Sequence, residues 1–123
     1  MNSKSKLDQL RDKYPTLYKA LPYGFQCSDG WYDLLDTLSA VILRETERLP
    51  EEARDGLFVI QVKEKFGGLR FYMEKSTPFI DGAISLAESI SYRTCEECGQ
   101  PGRTRNGGWI RVLCDAHHKE KDK

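Results

Sequence analysis

Polar and apolar positions divide the chain into stretches of two different periods. From Trp31 to about Leu49, apolar residues recur three and four apart, so that Trp31, Leu34, Leu35, Leu38, Val41, Ile42 and Leu49 share one stripe. Asp33, Asp36, Arg44, Glu45, Glu47 and Arg48 fall mostly off it, the pattern of an amphipathic helix with a solvated, acidic outer face. Pro50 stops it. Ser28 or Asp29 is the expected N-cap, because a short side-chain oxygen can accept from the unpaired N–H groups of the first turn. Upstream, Leu7 and Leu10 predict a short helix from about Ser5 to Tyr14. Pro15 and Pro22 then break the chain into turns that carry Tyr14, Leu17, Tyr18 and Leu21. Residues 23–30 read as a loop.

The period then changes to two. Leu57 to Lys65, rich in Phe58, Val59, Ile60 and Val62, predicts a strand, and Leu69 to Glu74 predicts a second. In the latter Leu69, Phe71 and Met73 alternate inward with Arg70, Tyr72 and Glu74 outward. Gly67-Gly68 between them reads as the turn of a β-hairpin. Thr77-Pro78 follows as an N-cap with proline at the first helical position. The helix it opens extends to about Tyr92, with Ile80, Ala83, Ile84, Ala87 and Ile90 or Ser91 inward. Gly82 weakens it by about 1 kcal/mol relative to alanine. These elements describe an α+β core, ordered α-α-β-β-α, over residues 1–93. No linker separates it from residues 94–123, which end in a short charged tail, Lys119 to Lys123.

That last segment carries chemistry. Cys95-Glu96-Glu97-Cys98-Gly99 and Cys114-Asp115-Ala116-His117 are separated by a stretch that itself reads as a hairpin. Asn106-Gly107 suits a type I′ turn, with Trp109 to Leu113 returning as a strand. A C-x-x-C turn can present two thiolates to one ion, and the hairpin would return Cys114 and His117 to its side. Zinc takes four such donors tetrahedrally. Cys95, Cys98, Cys114 and His117 are therefore expected to form a structural Cys₃His zinc ribbon that packs on the core. His118 is the rival fourth ligand, and His117 is preferred because C-x-x-H mirrors C-x-x-C. Cys27 is left over and reads as a buried small hydrophobe. A redox dithiol at Cys95 and Cys98 would lack its usual βαβ setting and leave Cys114 and His117 without a role.

Composition narrows the function. The chain has 123 residues, of which 39% are hydrophobic, enough for one modest core that a metal would help to stabilise. Nineteen Lys and Arg balance nineteen Asp and Glu, which excludes a whole-surface cationic field for coating nucleic acid or an anionic membrane. The balance is uneven along the chain: residues 31–56 hold three basic and seven acidic groups, whereas the other segments are mildly basic. The longest apolar run, Leu57 to Ile60, is far shorter than a membrane span. The basic N-terminus lacks the apolar region of a secretory signal. With thiols in ligand spacing, a reducing, cytoplasmic compartment is expected. His117 and His118 are the only histidines, so none is spare for nucleophilic catalysis, and four protein donors leave no open zinc position for an activated water. Phe66-Gly67-Gly68 lacks the spacing and lysine of a P-loop. The expectation is a protein that is not an enzyme.

Two stretches could bind. Lys63, Lys65, Arg70 and Tyr72 lie on or near the first hairpin, where Gly67-Gly68 could offer backbone N–H groups to an anion. Arg103, Arg105, Trp109 and Arg111 form a basic-aromatic set on the ribbon, although Trp109 would pack equally well beneath the zinc knuckle or against the last helix. Gly30 to Leu35, Gln61 to Tyr72, Arg93 to Gly99 and Gly107 to Cys114 together resemble a family of small bacterial and phage-encoded zinc-ribbon proteins. The resemblance spans roughly residues 24–118. It implies a cytoplasmic setting and a phage or prophage origin, and supplies no activity. The leading expectation is a protein-binding module or inhibitor, which for a phage protein would suit counter-defence against the host. A nucleic-acid-binding regulator using the basic-aromatic face is the alternative. A C2 homodimer is allowed, and nothing in the sequence calls for one.

Overall fold

The computed structural model describes residues Ser5–Lys121. The basic run before Ser5 and the last two residues of the charged tail lie outside it. Helix α1 (Gln9–Lys13) is shorter than the periodicity predicts, because the Ser5 hydroxyl and backbone close a turn over residues 5–8 first. Leu7 and Leu10 are buried nonetheless, and Tyr14, Leu17, Tyr18 and Leu21 follow them into the core.

Helix α2 (Tyr32–Arg48) matches expectation in length and stripe, with Trp31, Leu35, Leu38 and Ile42 buried. Its start differs. A single 3-10 turn, Asp29–Trp31, precedes it, and neither Ser28 nor Asp29 caps it through a side chain. The Asp29 carboxylate instead accepts from the N–H groups of Lys6 and Leu7 at 3.3 Å, tying the N-terminal segment to the start of α2. Tyr18 bonds the buried Ser39 hydroxyl on the same helix, and Tyr14 donates to Asp36 at 2.6 Å.

The sheet has three strands in the order β1 (Phe25–Gln26), β2 (Val59–Lys65), β3 (Gly68–Met73). β1 pairs parallel with β2, Phe25 opposite Val62, a strand that the loop-like residues 23–30 conceal. β2 and β3 form the expected hairpin, with a register irregularity between Val59 and Gln61. The turn is not Gly67-Gly68. Its central residues are Phe66 and Gly67, at φ +55° and +89°, while Gly68 is already in β3 beneath the Tyr92 ring, where a Cβ would collide. Gly67 and Gly68 are buried and the Gly67 N–H donates to Glu64 at 2.7 Å, so this tip does not offer its amides to an anion.

Helix α3 (Pro78–Ser91) opens on Thr77, whose hydroxyl accepts from the Ile80 N–H. It packs along β3, the edge strand. Of the two residues left open for its inner face, Ser91 is buried and Ile90 is 41% exposed. Hydrogen bonding decides this. The Ser91 hydroxyl accepts from the Leu69 N–H at 2.9 Å, and Glu88 accepts from that of Phe71 at 3.1 Å. Together they satisfy amides that an edge strand would otherwise leave unpaired. The C-terminal ribbon consists of β4 (Arg103–Arg105), β5 (Arg111–Leu113) and α4 (Asp115–Lys121). The residues read as a charged tail are thus largely helical. Over the described residues the fold is α+β, four helices with sheets of three and two strands. Among the described residues no helix is long and apolar enough to cross a membrane.

Candidate metal centre

The donor set is assembled by two local turns. After α3, a bridge between Thr94 and Pro101 closes a loop around Cys95 and Cys98. Within it the Gly99 N–H donates to the Cys95 carbonyl at 2.8 Å, a tight turn that Gly99 completes at φ +84°. Opposite, β5 ends at Leu113, and the first turn of α4 brings Cys114 and His117 to one side, three residues being close to one helical turn.

Cys95, Cys98, Cys114 and His117 have ligand atoms all within 4.8 Å of one another. Cys98 Sγ lies 3.8 Å from Cys114 Sγ, and His117 Nδ1 lies 3.7 Å from Cys95 Sγ and 3.2 Å from Cys114 Sγ. Donors at about 2.3 Å for sulfur and about 2.0–2.1 Å for nitrogen around one tetrahedral ion stand about 3.8 Å apart for two sulfurs and about 3.5 Å for sulfur and nitrogen. The separations match that arrangement and are far beyond the ~2.05 Å of a disulfide. His117, not His118, is the histidine of the set; His118 lines a neighbouring cleft. The backbone N–H and imidazole of His117 pull the Cys114 thiol down to about 6, and Cys114 in turn raises His117. Low thiol pKa is what a metal ligand needs, because only the thiolate coordinates.

The loop between β4 and β5 departs from a type I′ turn. It spans five residues, 106–110, with positive φ at Gly107 and Gly108 but not at Asn106, and β5 starts at Arg111 instead of Trp109.

The first cysteine loop is seated on the core. Gly30 N donates to the Glu96 carbonyl at 2.8 Å, Trp31 Nε1 to the Thr94 carbonyl at 3.0 Å, and Ser28 N to the Glu96 carboxylate at 3.1 Å. Glu96 is 4% exposed. Burial pushes its carboxyl up, against the pull of Arg111 and the Ser28 N–H. Cys27, beside this junction, is half-buried, and burial likewise raises its thiol.

The basic residues expected to bind do not converge. Lys63 and Arg70 face each other across β2 and β3, and Arg70 donates to Tyr92 and the Leu69 carbonyl. Lys65 stands at the hairpin tip, its Nζ 5.7 Å from the Phe66 ring centre. Arg103 and Arg105 turn to Asp115, Arg105 at 2.7 Å while also donating to the Leu113 carbonyl. Arg111 bridges Glu96 at 3.3 Å and Glu97 at 2.9 Å. Of the aromatic set, Trp109 is 79% exposed and packs beneath nothing. Sequence reasoning missed Glu64, Phe66 and Glu96. Glu96 sits between two ligands in a charged dipeptide, where nothing signals burial, whereas Phe66-Gly67 between two strands was a readable turn. Comparison with protein-family models, curated proteins and solved structures finds no match.

Proposed function

We propose that the chain is a non-enzymatic, zinc-stapled module that binds another protein. One observation carries the reading: the four donors close around a single point, and Glu96, between the first two, is bonded into the core. Three thiolates and an imidazole are a soft-to-borderline set that suits zinc over magnesium or calcium. A four-coordinate ion held by them has no position for water and acts as a staple. It ties the cysteine loop, itself bonded to residues 28–31, to the start of α4, and so sets the spacing of the two hairpin tips. The pairing of Arg105 and Arg111 with carboxylates supports a protein partner over nucleic acid, since a phosphate would have to displace those contacts. A phage or prophage source with a host protein as target extends the same reading.

Salt-dependent titration with DNA and RNA tests the choice. The reading predicts no binding at low salt, coupled with capture of a protein partner by the folded, metal-loaded chain. Micromolar nucleic-acid binding lost in Arg105→Ala contradicts it.

A further inference from the structure

The two hairpin tips meet. A Cβ on Gly67 would lie 3.2 Å from the Ile110 side chain of the β4–β5 loop. Beside this contact is a cleft of about 860 Å³, lined among others by Glu64, Glu96, Glu97, Arg111 and Trp109. A smaller cavity of about 330 Å³ includes Phe66 and Lys65 and shares Glu64 and Trp109 with the first. The volume of the larger lies within the range of ligand sites, about 300–1,000 Å³.

Three residues stand out in this cleft. Trp109 and Phe66, one from each tip, are 79% and 67% exposed. Phe66 also occupies a left-handed position at φ +55°, the only described non-glycine residue with positive φ. Asparagine, aspartate or glycine is the usual choice there, and a bulky side chain is strained. Strain and exposure together, on a large aromatic, mark a position kept for something other than stability. Glu64 is the third. It lies on the same face of β2 as buried Val62, two residues further along, where the strand runs past the core. Half-buried, it accepts the Gly67 N–H and, among the described residues, forms no ion pair. Of the other carboxylates of the cleft, Glu96 and Glu97 pair with Arg111, while Arg105 is turned to Asp115.

We infer that this cleft binds a peptide segment of the partner through a lysine or arginine side chain. The cation sits against Glu64, and its aliphatic stem lies between the Trp109 and Phe66 rings. An aromatic face attracts such a cation electrostatically and covers the stem. The inference rests on the protein-binding reading and adds the site and the chemistry of the partner to it.

Selection from a display library of random peptides on the immobilised, zinc-loaded chain tests it. Enriched peptides should share a lysine or arginine, and replacing it with glutamine should weaken binding about tenfold, as expected for a charge-assisted hydrogen bond. Glu64→Gln should cost a similar factor, and Trp109→Ala, on an exposed loop, should lose binding while leaving the unfolding midpoint unchanged. Phe66→Asn gives a signature that a structural role would not: the midpoint rises by a few degrees while affinity falls. Enriched peptides without a shared cation, or peptides that bind Trp109→Ala or Glu64→Gln as tightly as the parent, overturn the cleft assignment and leave protein binding standing. No enrichment at all overturns both, as does binding of oligothymidylate at Trp109 in place of peptide.

Discussion

Gly30 is where the core and the cysteine loop touch most closely. A Cβ there would collide with the backbone of Cys95 and Glu96. Backbone cannot swing aside as a side-chain end can, so Gly30→Ala should destabilise the chain by about 3 kcal/mol, read from urea unfolding. Trp31, next to it, donates its indole N–H to Thr94; Trp31→Phe should cost about 1–2 kcal/mol because a part-buried carbonyl loses its partner. Asp36 allows a prediction with pH. Its carboxyl is held below the ordinary 3.8 by the Tyr14 hydroxyl and then Lys13. A folded pKa below the unfolded one contributes stability that is complete above about pH 4 and is lost as pH falls through the folded value. Asp36→Asn should therefore flatten the acid limb of stability against pH and leave the slope near neutrality unaltered. Cys27, with its thiol raised by burial, should alkylate far more slowly than exposed Cys98 once metal is chelated, which peptide mapping after brief iodoacetamide treatment will show.

At the scale of elements, the longest periodic segments were the most legible. α2 and α3 follow from three-and-four spacing, a proline stop and a Thr-Pro start, because burial of one face decides where such helices run. The β2–β3 pair was equally plain, yet its turn was displaced by one residue. Two adjacent glycines look like the turn, but Gly68 is glycine because Tyr92 lies over it, and the strain went to Phe66. β1 was illegible, since two residues carry no periodicity. The choice of Ser91 over Ile90 was hidden for a related reason: hydrophobicity favours isoleucine inside, whereas the amides of an edge strand required a hydroxyl. Ser91→Ala should cost about 1–3 kcal/mol by leaving the Leu69 N–H unpaired, and hydrogen exchange at that amide should accelerate.

On the scale of the molecule, the balance of nineteen against nineteen charges conceals an arrangement. The ribbon's arginines are spent on Asp115, Glu96 and Glu97, all close in sequence to the cysteines. The donor set itself was fully legible, because metal ligands come in pairs at fixed spacing on either side of a hairpin. The cleft was not, because its walls come from hairpin tips 43 residues apart, Gly67 against Ile110, whose contact depends on how the ribbon is seated. On the proposed reading, a metal at the four donors holds the cysteine loop that is bonded to residues 28–31. The most direct test is the metal content of the chain purified without added zinc, measured with its unfolding curve before and after chelation. About one zinc per chain is expected, lost in Cys98→Ser, with the ribbon unfolding on chelation since binding and folding are coupled. A metal-free chain whose ribbon is fully folded would contradict this.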